Sequence, residues 1–128
     1  MISNALYVAD SANSRVQVFN SIPTTSNASA DVSLTIGNVS ANPTSIAAAG
    51  EKLLVYDENK SRVVFWNRVP TTSSAPDGVV GQVDLSTVDT TTDNQTLGRG
   101  FGFTVSGTTL WIIDSERNRI LKFTTPGP

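Results

Sequence analysis

The chain has 128 residues, with nine Lys and Arg against eleven Asp and Glu, no histidine and no cysteine. This length predicts a single domain, and a net charge of −2 argues against a nucleic-acid partner, which requires a basic face. Without histidine and cysteine the chain has no serine–histidine triad, histidine–zinc centre, haem ligand or disulfide. No apolar stretch approaches the roughly 18 residues that span a bilayer, so we expect no membrane insertion.

The composition favours β-structure. Ser and Thr make up about a quarter of the residues, and the chain has nine glycines and six prolines. Short runs of Val, Ile, Leu, Phe and Trp recur with a period of two, and no window has the 3.6-residue period of an amphipathic helix. The sequence therefore predicts an all-β protein.

The predicted elements form units of up to four short strands, which we label a, b, c and d. Residues 1–41 contain strands b to d of the first unit. Leu6–Ala9 and Val16–Phe19 flank the turn residues Asp10–Ser14, and the strand Ser33–Gly37 follows a loop rich in Thr and Ser.

Residues 42–99 contain all four strands of the second unit, beginning with Thr44–Ala48 and ending with Val79–Gly81. The polar segment 82–99 has no core periodicity and predicts a long loop between strands d and a. Residues 100–128 contain strands a to c of a third unit. The chain is thus predicted to hold ten strands, with one strand missing from the first unit and one from the last.

A repeat of 14 residues forms the hairpin of strands b and c in each unit. Its copies are LYVADSANSRVQVF at 6–19, LLVYDENKSRVVFW at 53–66 and LWIIDSERNRILKF at 110–123. Each copy has an Asp followed five residues later by an Arg, which lies across the hairpin mouth and close enough to pair with it. The pairs are Asp10–Arg15, Asp57–Arg62 and Asp114–Arg119. We interpret them as structural, because a pair that recurs in every unit serves the unit.

The turns inside the hairpins differ in sequence. The residue before the Arg is Asn118 in the third copy but Ser14 and Ser61 in the other two. We therefore expect that the three turns do not share one hydrogen-bond pattern. We also expect Asp or Asn side chains to cap the backbone N–H groups of the turns.

These segments resemble the NHL repeat, whose core reads roughly Leu-Tyr-Val-Ala-Asp, a polar turn and Asn-Arg-Ile. NSIPTTSNASADV at 20–32 and NRVPTTSSAPDGV at 67–79 resemble a variety common in large bacterial surface or secreted NHL proteins. The resemblance covers nearly the whole chain and implies β-propeller blades of four antiparallel strands, usually six to a ring. Such propellers serve mainly as binding or scaffolding platforms.

The number of blades raises the question of closure. A propeller ring needs about 4–8 blades, and this chain supplies about three. We expect either that the chain is a fragment of a longer propeller or that it forms a homo-oligomer through its incomplete terminal blades. The resemblance also implies a secreted or cell-surface location. The N-terminal residues MISNALYVAD do not look like a signal peptide, so we expect that any export signal is not part of this chain.

No catalytic or cofactor-binding residue is predicted. Trp66 and Trp111 are the candidates for ligand-facing aromatics, although both occupy positions that repeat as large apolar residues, which favours packing between blades. Asp84, Asp89 and Asp93 lie in the polar loop, but their spacing matches no EF-hand. A solvated loop is therefore favoured there over a weak calcium site.

Three functions remain open. The favoured one is a non-enzymatic binding or scaffold module with a protein or carbohydrate ligand. The first alternative is a self-assembling structural subunit that forms a ring or a filament. The second is a fragment of a propeller lyase or hydrolase with a metal on the propeller axis. The absence of histidine argues against this last alternative, because the NHL-like lyases that the chain resembles use histidine ligands.

Overall fold

The computed structural model describes residues 4–37, 40–88, 93, 95–100 and 102–125. These residues form ten β-strands and three short 3₁₀ turns. The strands are β1 (Leu6–Asp10), β2 (Arg15–Phe19), β3 (Val32–Thr35), β4 (Pro43–Ala49), β5 (Lys52–Asp57), β6 (Arg62–Trp66), β7 (Gly78–Val80), β8 (Gly102–Ser106), β9 (Thr109–Asp114) and β10 (Arg119–Thr124). No helix in these ranges is long and apolar enough to cross a membrane.

The strands form three antiparallel sheets in which each strand pairs with its neighbour along the chain. The first sheet has the order β1-β2-β3, the second β4-β5-β6-β7 and the third β8-β9-β10. Strand β4 of the second sheet contacts both β1 and β8, so the sheets lie side by side with β4 in the middle. The all-β prediction is confirmed, and the arrangement is that of a partial propeller. The division of the chain at residues 41 and 99 into blades stays a prediction, and parts of it lie outside the described residues.

The first hydrophobic core lies between the first and second sheets. Alternation along the strands directs every second side chain to this core, and β-branched residues dominate it. The fully buried members include Val16, Val18, Leu34, Leu53, Val55 and Val64.

The second core lies between the second and third sheets. It contains the residues of β5 and β6 that alternate with those in the first core. Its buried members are Leu54, Tyr56, Val63, Phe65, Val80, Leu97, Leu110 and Ile112. The second sheet is therefore buried on both faces. This explains why its hairpin LLVYDENKSRVVFW has continuous apolar runs rather than an alternation of apolar and polar residues.

The three hairpin turns have the same backbone geometry. Each is one 3₁₀ turn that ends in a residue with left-handed backbone angles: Ser14 (φ 55°), Ser61 (φ 48°) and Asn118 (φ 50°). The N–H of each donates to the carbonyl three residues earlier, at 3.2, 3.2 and 3.3 Å. The expectation of different hydrogen-bond patterns is thus wrong for the backbone. The identical turn length fixes the conformation, and Ser as well as Asn adopts it.

The expected side-chain caps are also missing from the described turns. None of the three Asp residues that precede the 3₁₀ turns makes a side-chain capping hydrogen bond at the start of its turn. Their carboxylates instead bind the Arg across the hairpin mouth, because each Asp and its Arg are direct register partners.

Candidate functional site

The central Asp–Arg pair is buried between the first and second sheets. Asp57 and Arg62 are almost completely excluded from solvent, and Arg62 Nε donates to Asp57 Oδ2 at 3.0 Å. The other guanidinium nitrogens donate to the carbonyls of Ile36, at 3.2 Å, and Leu85. Asp57 Oδ1 accepts the N–H of Asn42 at 2.9 Å. This pair therefore joins the hairpin to the end of the preceding sheet and to two loops.

The third-sheet pair makes the same kind of connection. Arg119 Nε donates to Asp114 Oδ2 at 2.8 Å, and its Nη1 and Nη2 donate to the carbonyls of Asp93, at 2.5 Å, and Thr96, at 2.7 Å. Arg119 thus binds the loop that leads from the second sheet into the third. Asp114 Oδ1 is buried and has no hydrogen-bond partner among the described residues.

The first-sheet pair is more exposed. Arg15 Nε donates to Asp10 Oδ2 at 2.7 Å, and the Arg15 side chain is 38% exposed. Asn13 also donates to Asp10, at 2.8 Å. The hydrogen bond from Arg15, supported by that from Asn13, lowers the pKa of Asp10 below its ordinary value. In the described part of the chain, Arg15 donates to no main-chain carbonyl, unlike Arg62 and Arg119.

Trp66, the first of the two aromatic candidates, is buried, and its role stays a prediction. Its side chain is 1% exposed and belongs to the core between the first and second sheets. The indole Nε1 donates to the carbonyl of Ser74 at 3.2 Å. Trp66 points to this side because it alternates with Phe65, whose ring belongs to the other core.

Trp111 is the exposed member of the two aromatic candidates. It is 40% exposed on the side of the third sheet that faces away from the second, beside Ile113 (49%) and Ile120 (67%). Lys122 Nζ lies 5.4 Å from the centroid of its ring, within cation–π distance. We call the surface formed by Trp111, Ile113, Ile120 and Lys122 the outer face of the third sheet.

The outer face of the third sheet has buried counterparts in the second sheet. Alignment of the two repeats at Asp57 and Asp114 matches its four residues, in chain order, with Leu54, Tyr56, Val63 and Phe65, which are all buried. Ile113, Arg119 and Ile120 are among the residues that line a shallow groove of about 450 Å³. Sequence reasoning missed Ile113 and Ile120, because the repeat pattern does not show which of its copies are covered by a following sheet.

The acidic residues of the polar loop bind backbone rather than one another. Asp84 Oδ1 accepts the N–H groups of Ser86 and Thr87, and Asp93 Oδ1 accepts those of Gln95 and Thr96. Hydrogen bonds lower the pKa of both carboxyls. The largest effect comes from backbone N–H donors for Asp84 and from the Thr96 hydroxyl for Asp93.

The third acidic residue of the loop, Asp89, lies outside the described residues. Within the described ranges, no three His, Cys, Asp or Glu side chains are grouped so that they could hold a metal ion. The weak calcium site considered from the sequence stays a prediction.

Tyr56 is a buried polar residue that sequence reasoning did not single out. Its hydroxyl accepts the N–H of Gly100 at 2.7 Å and donates to the carbonyl of Gly98 at 3.3 Å. A Cβ on Gly100 would lie 2.0 Å from the carbonyl oxygen of Ile113, so only glycine fits there. Burial raises the pKa of Tyr56 to about 12. Tyr56 thus fixes the entry of the chain into the third sheet.

Comparison with known proteins indicates the fold class but no family or function. No protein-family model matches the chain, and no curated protein is similar to it. The crystal structure of Hsv2 from Kluyvelomyces marxianus, a propeller protein, is similar with a TM-score of 0.54 and 12% identity. The similarity covers 97% of this chain and 42% of that one, so this chain spans less than half of Hsv2. The chain therefore belongs to the class of all-β, propeller-like proteins.

Proposed function

We propose that the chain is a non-enzymatic binding or scaffold module built of NHL-type blades, and that it docks a protein on the outer face of the third sheet. The NHL assignment is supported by the Asp–Arg spacing in three ungapped copies and by a fold similar to a propeller. A bacterial extracellular location is part of the proposal and follows from the resemblance of the loop segments 20–32 and 67–79.

One observation carries this function. Ile113 and Ile120 are 49% and 67% exposed, yet the matching Tyr56 and Val63 are completely buried beneath the third sheet. Burial of apolar surface contributes about 25 cal/mol per Å², so covering this face would give a partner a substantial gain. Contiguous exposed apolar side chains on one rigid sheet are typical of interaction surfaces.

The chemistry of this face favours a protein over a carbohydrate. Sugars stack on an open aromatic ring, but the Lys122 ammonium lies over the ring of Trp111. The neighbouring Ile113 and Ile120 are branched and apolar, and they offer no side-chain hydrogen bonds to sugar hydroxyls. A protein surface with apolar side chains and an acceptor for Lys122 fits this face.

The face can be tested with the fluorescent apolar probe 8-anilinonaphthalene-1-sulfonate at low protein concentration. We expect the probe to bind the wild type and to lose about half of its fluorescence enhancement with Ile120→Glu, since the exposed Leu6 and Val8 of the first sheet remain. Val83→Glu is the matched control, because Val83 is 76% exposed but lies outside this face. Equal enhancement with wild type and Ile120→Glu, or none with wild type, would contradict the proposal.

A self-assembling structural subunit is the second candidate, and exposed apolar residues on the first sheet favour it. Leu6 and Val8 are both exposed on the side of that sheet that faces away from the second. The chain therefore has exposed apolar side chains on the outer faces at both ends of its row of sheets. Nothing in the described part of the chain favours the remaining alternative, a lyase or hydrolase fragment.

A further inference from the structure

The two internal interfaces use the same positions of the repeat. In the first core, Val16 and Val18 of the first sheet pack in one cluster with Val55 and Val64 of the second. In the second core, Val63 and Phe65 take the places of Val16 and Val18, and Ile112 and Leu121 take those of Val55 and Val64. Each sheet therefore has one side that packs on the preceding sheet and another that packs on the following sheet.

The two outer faces correspond to the two sides of this same interface. The outer face of the third sheet consists of positions that pack on a following sheet. The outer face of the first sheet, formed by Leu6, Val8, Arg15 and Gln17, consists of positions that pack on a preceding sheet. One outer face is thus the structural counterpart of the partner that the other outer face lacks.

Polar replacements occur at matching positions on the two outer faces. The pair of positions occupied by Val18 and Val64 in the first core is occupied by Phe65 and Leu121 in the second, so both internal pairs are apolar. On the outer faces the same two positions hold Lys122 and Gln17. A Lys donates hydrogen bonds to an amide oxygen, so these two residues suit each other where the internal interfaces have two apolar side chains.

Arg15 adds a second indication on the outer face of the first sheet. Its counterpart Arg62 donates to the carbonyl of Ile36, at the end of the preceding sheet, and to that of Leu85, in the loop after its own sheet. The counterpart Arg119 donates to two carbonyls of the loop that precedes its sheet. Arg15 pairs with Asp10 and, when the Gln17 amide oxygen faces it, with Gln17 at 2.6 Å. Among the described residues, no main-chain carbonyl accepts a hydrogen bond from Arg15, unlike Arg62 and Arg119. This face therefore has an Arg at the position from which Arg62 binds the end of the preceding sheet.

We propose that the partner of the outer face of the third sheet is the outer face of the first sheet on a second copy of this chain. The contact continues the row of sheets and places Lys122 of one copy against Gln17 of the next. It is heterologous, because two different surfaces meet, so it builds a ring or an open array according to the rotation between copies. This inference rests on the docking surface proposed above and names its partner.

Two single-face variants test the inference. Ile120→Glu blocks the outer face of the third sheet, and Val8→Glu blocks that of the first; both residues are exposed, so each variant should fold. Masses are measured by sedimentation velocity, and folding is checked by circular dichroism. We expect wild type to exceed the 13.6 kDa chain mass at high concentration and each variant alone to remain monomeric. An equimolar mixture of the variants should form a dimer of twice the chain mass, because each supplies the face that the other lacks.

Other outcomes separate this inference from the docking surface itself. A monomeric wild type, or a mixture that stays monomeric although wild type associates, overturns the second copy as partner. If the apolar probe still binds Ile120→Glu less than wild type, the docking surface stands and its partner is a different protein. If neither association nor probe binding occurs, both the surface and its partner are overturned.

Discussion

At the scale of single residues, the three arginines of the repeat show how one position has different consequences in different surroundings. Arg62 is 1% exposed and binds Asp57 and two carbonyls, whereas Arg15 is partly exposed and binds side chains of its own hairpin. A buried ion pair is costly to break, because the remaining charge stays buried without a partner. An exposed pair contributes little.

We therefore predict that Arg62→Ala destabilises the protein by about 3–5 kcal/mol, since it leaves Asp57 buried and unpaired. Arg15→Ala is the matched control and should cost less than about 1 kcal/mol. Both free energies of unfolding are obtained from urea denaturation followed by circular dichroism. Equal effects of the two substitutions would contradict the role given to the buried pair.

The raised pKa of Tyr56 leads us to predict a loss of folding stability at high pH. Its pKa is about 12 in the folded chain and near 10 in the unfolded one. The folded state thus retains the proton more tightly, so its stabilisation is fully present below pH 10 and is lost as pH rises towards 12. The total loss from this group is about 2–3 kcal/mol.

The substitution Tyr56→Phe tests this assignment. It removes the hydrogen bonds to Gly98 and Gly100, and we predict a cost of roughly 1–3 kcal/mol at neutral pH because the buried Gly100 N–H loses its acceptor. The decline between pH 10 and 12 should also become shallower than in wild type. An unchanged pH profile in the variant would show that another group causes the decline.

At the scale of the elements, the left-handed residue that ends each hairpin turn is a source of strain. An L-residue in this conformation costs roughly 1–2 kcal/mol, and glycine avoids that cost. We predict that Ser61→Gly stabilises the protein by roughly 0.5–1 kcal/mol. The control Ser33→Gly, at an exposed position within β3, should instead destabilise it by about 0.5–1 kcal/mol. Thermal unfolding compares the two, and destabilisation by both would contradict the proposed strain.

The strands and the hairpin pairs are the elements that the sequence predicts best. Period-two runs place the strands, and the five-residue separation places Asp57 opposite Arg62 because a hairpin of this length makes them register partners. Strand bounds differ by a residue or two, as in β3, which ends at Thr35 although Gly37 was included. Phe101, which falls within the third predicted unit at residues 100–128, lies outside the described residues.

The surroundings of single side chains are less predictable. Whether a strand residue is buried depends on which sheet lies on its side, and that is set by contacts distant in sequence. Trp66 and Trp111 illustrate this, since one is covered by the first sheet and the other is exposed on an outer face. The carbonyl partners of Arg62 and the contact of Tyr56 with Gly100 likewise join residues 23 or more positions apart. Local sequence patterns do not predict contacts between residues that are so far apart in the chain.

At the scale of the whole molecule, the second sheet is covered on both sides, while the first and third each have one outer face with exposed apolar side chains. The same repeat positions that build the two internal interfaces are present on these outer faces. The row of sheets is thus able to continue through a second copy, and the replacement of an apolar pair by Lys122 and Gln17 distinguishes that contact from the internal ones.

The most direct test of this account is the solution mass of the wild-type chain, measured by light scattering on a sizing column over a series of concentrations. The account predicts a mass that rises with concentration from 13.6 kDa to multiples of it, with a plateau if the head-to-tail contacts close into a ring. A folded protein that stays at 13.6 kDa at every concentration would contradict the account.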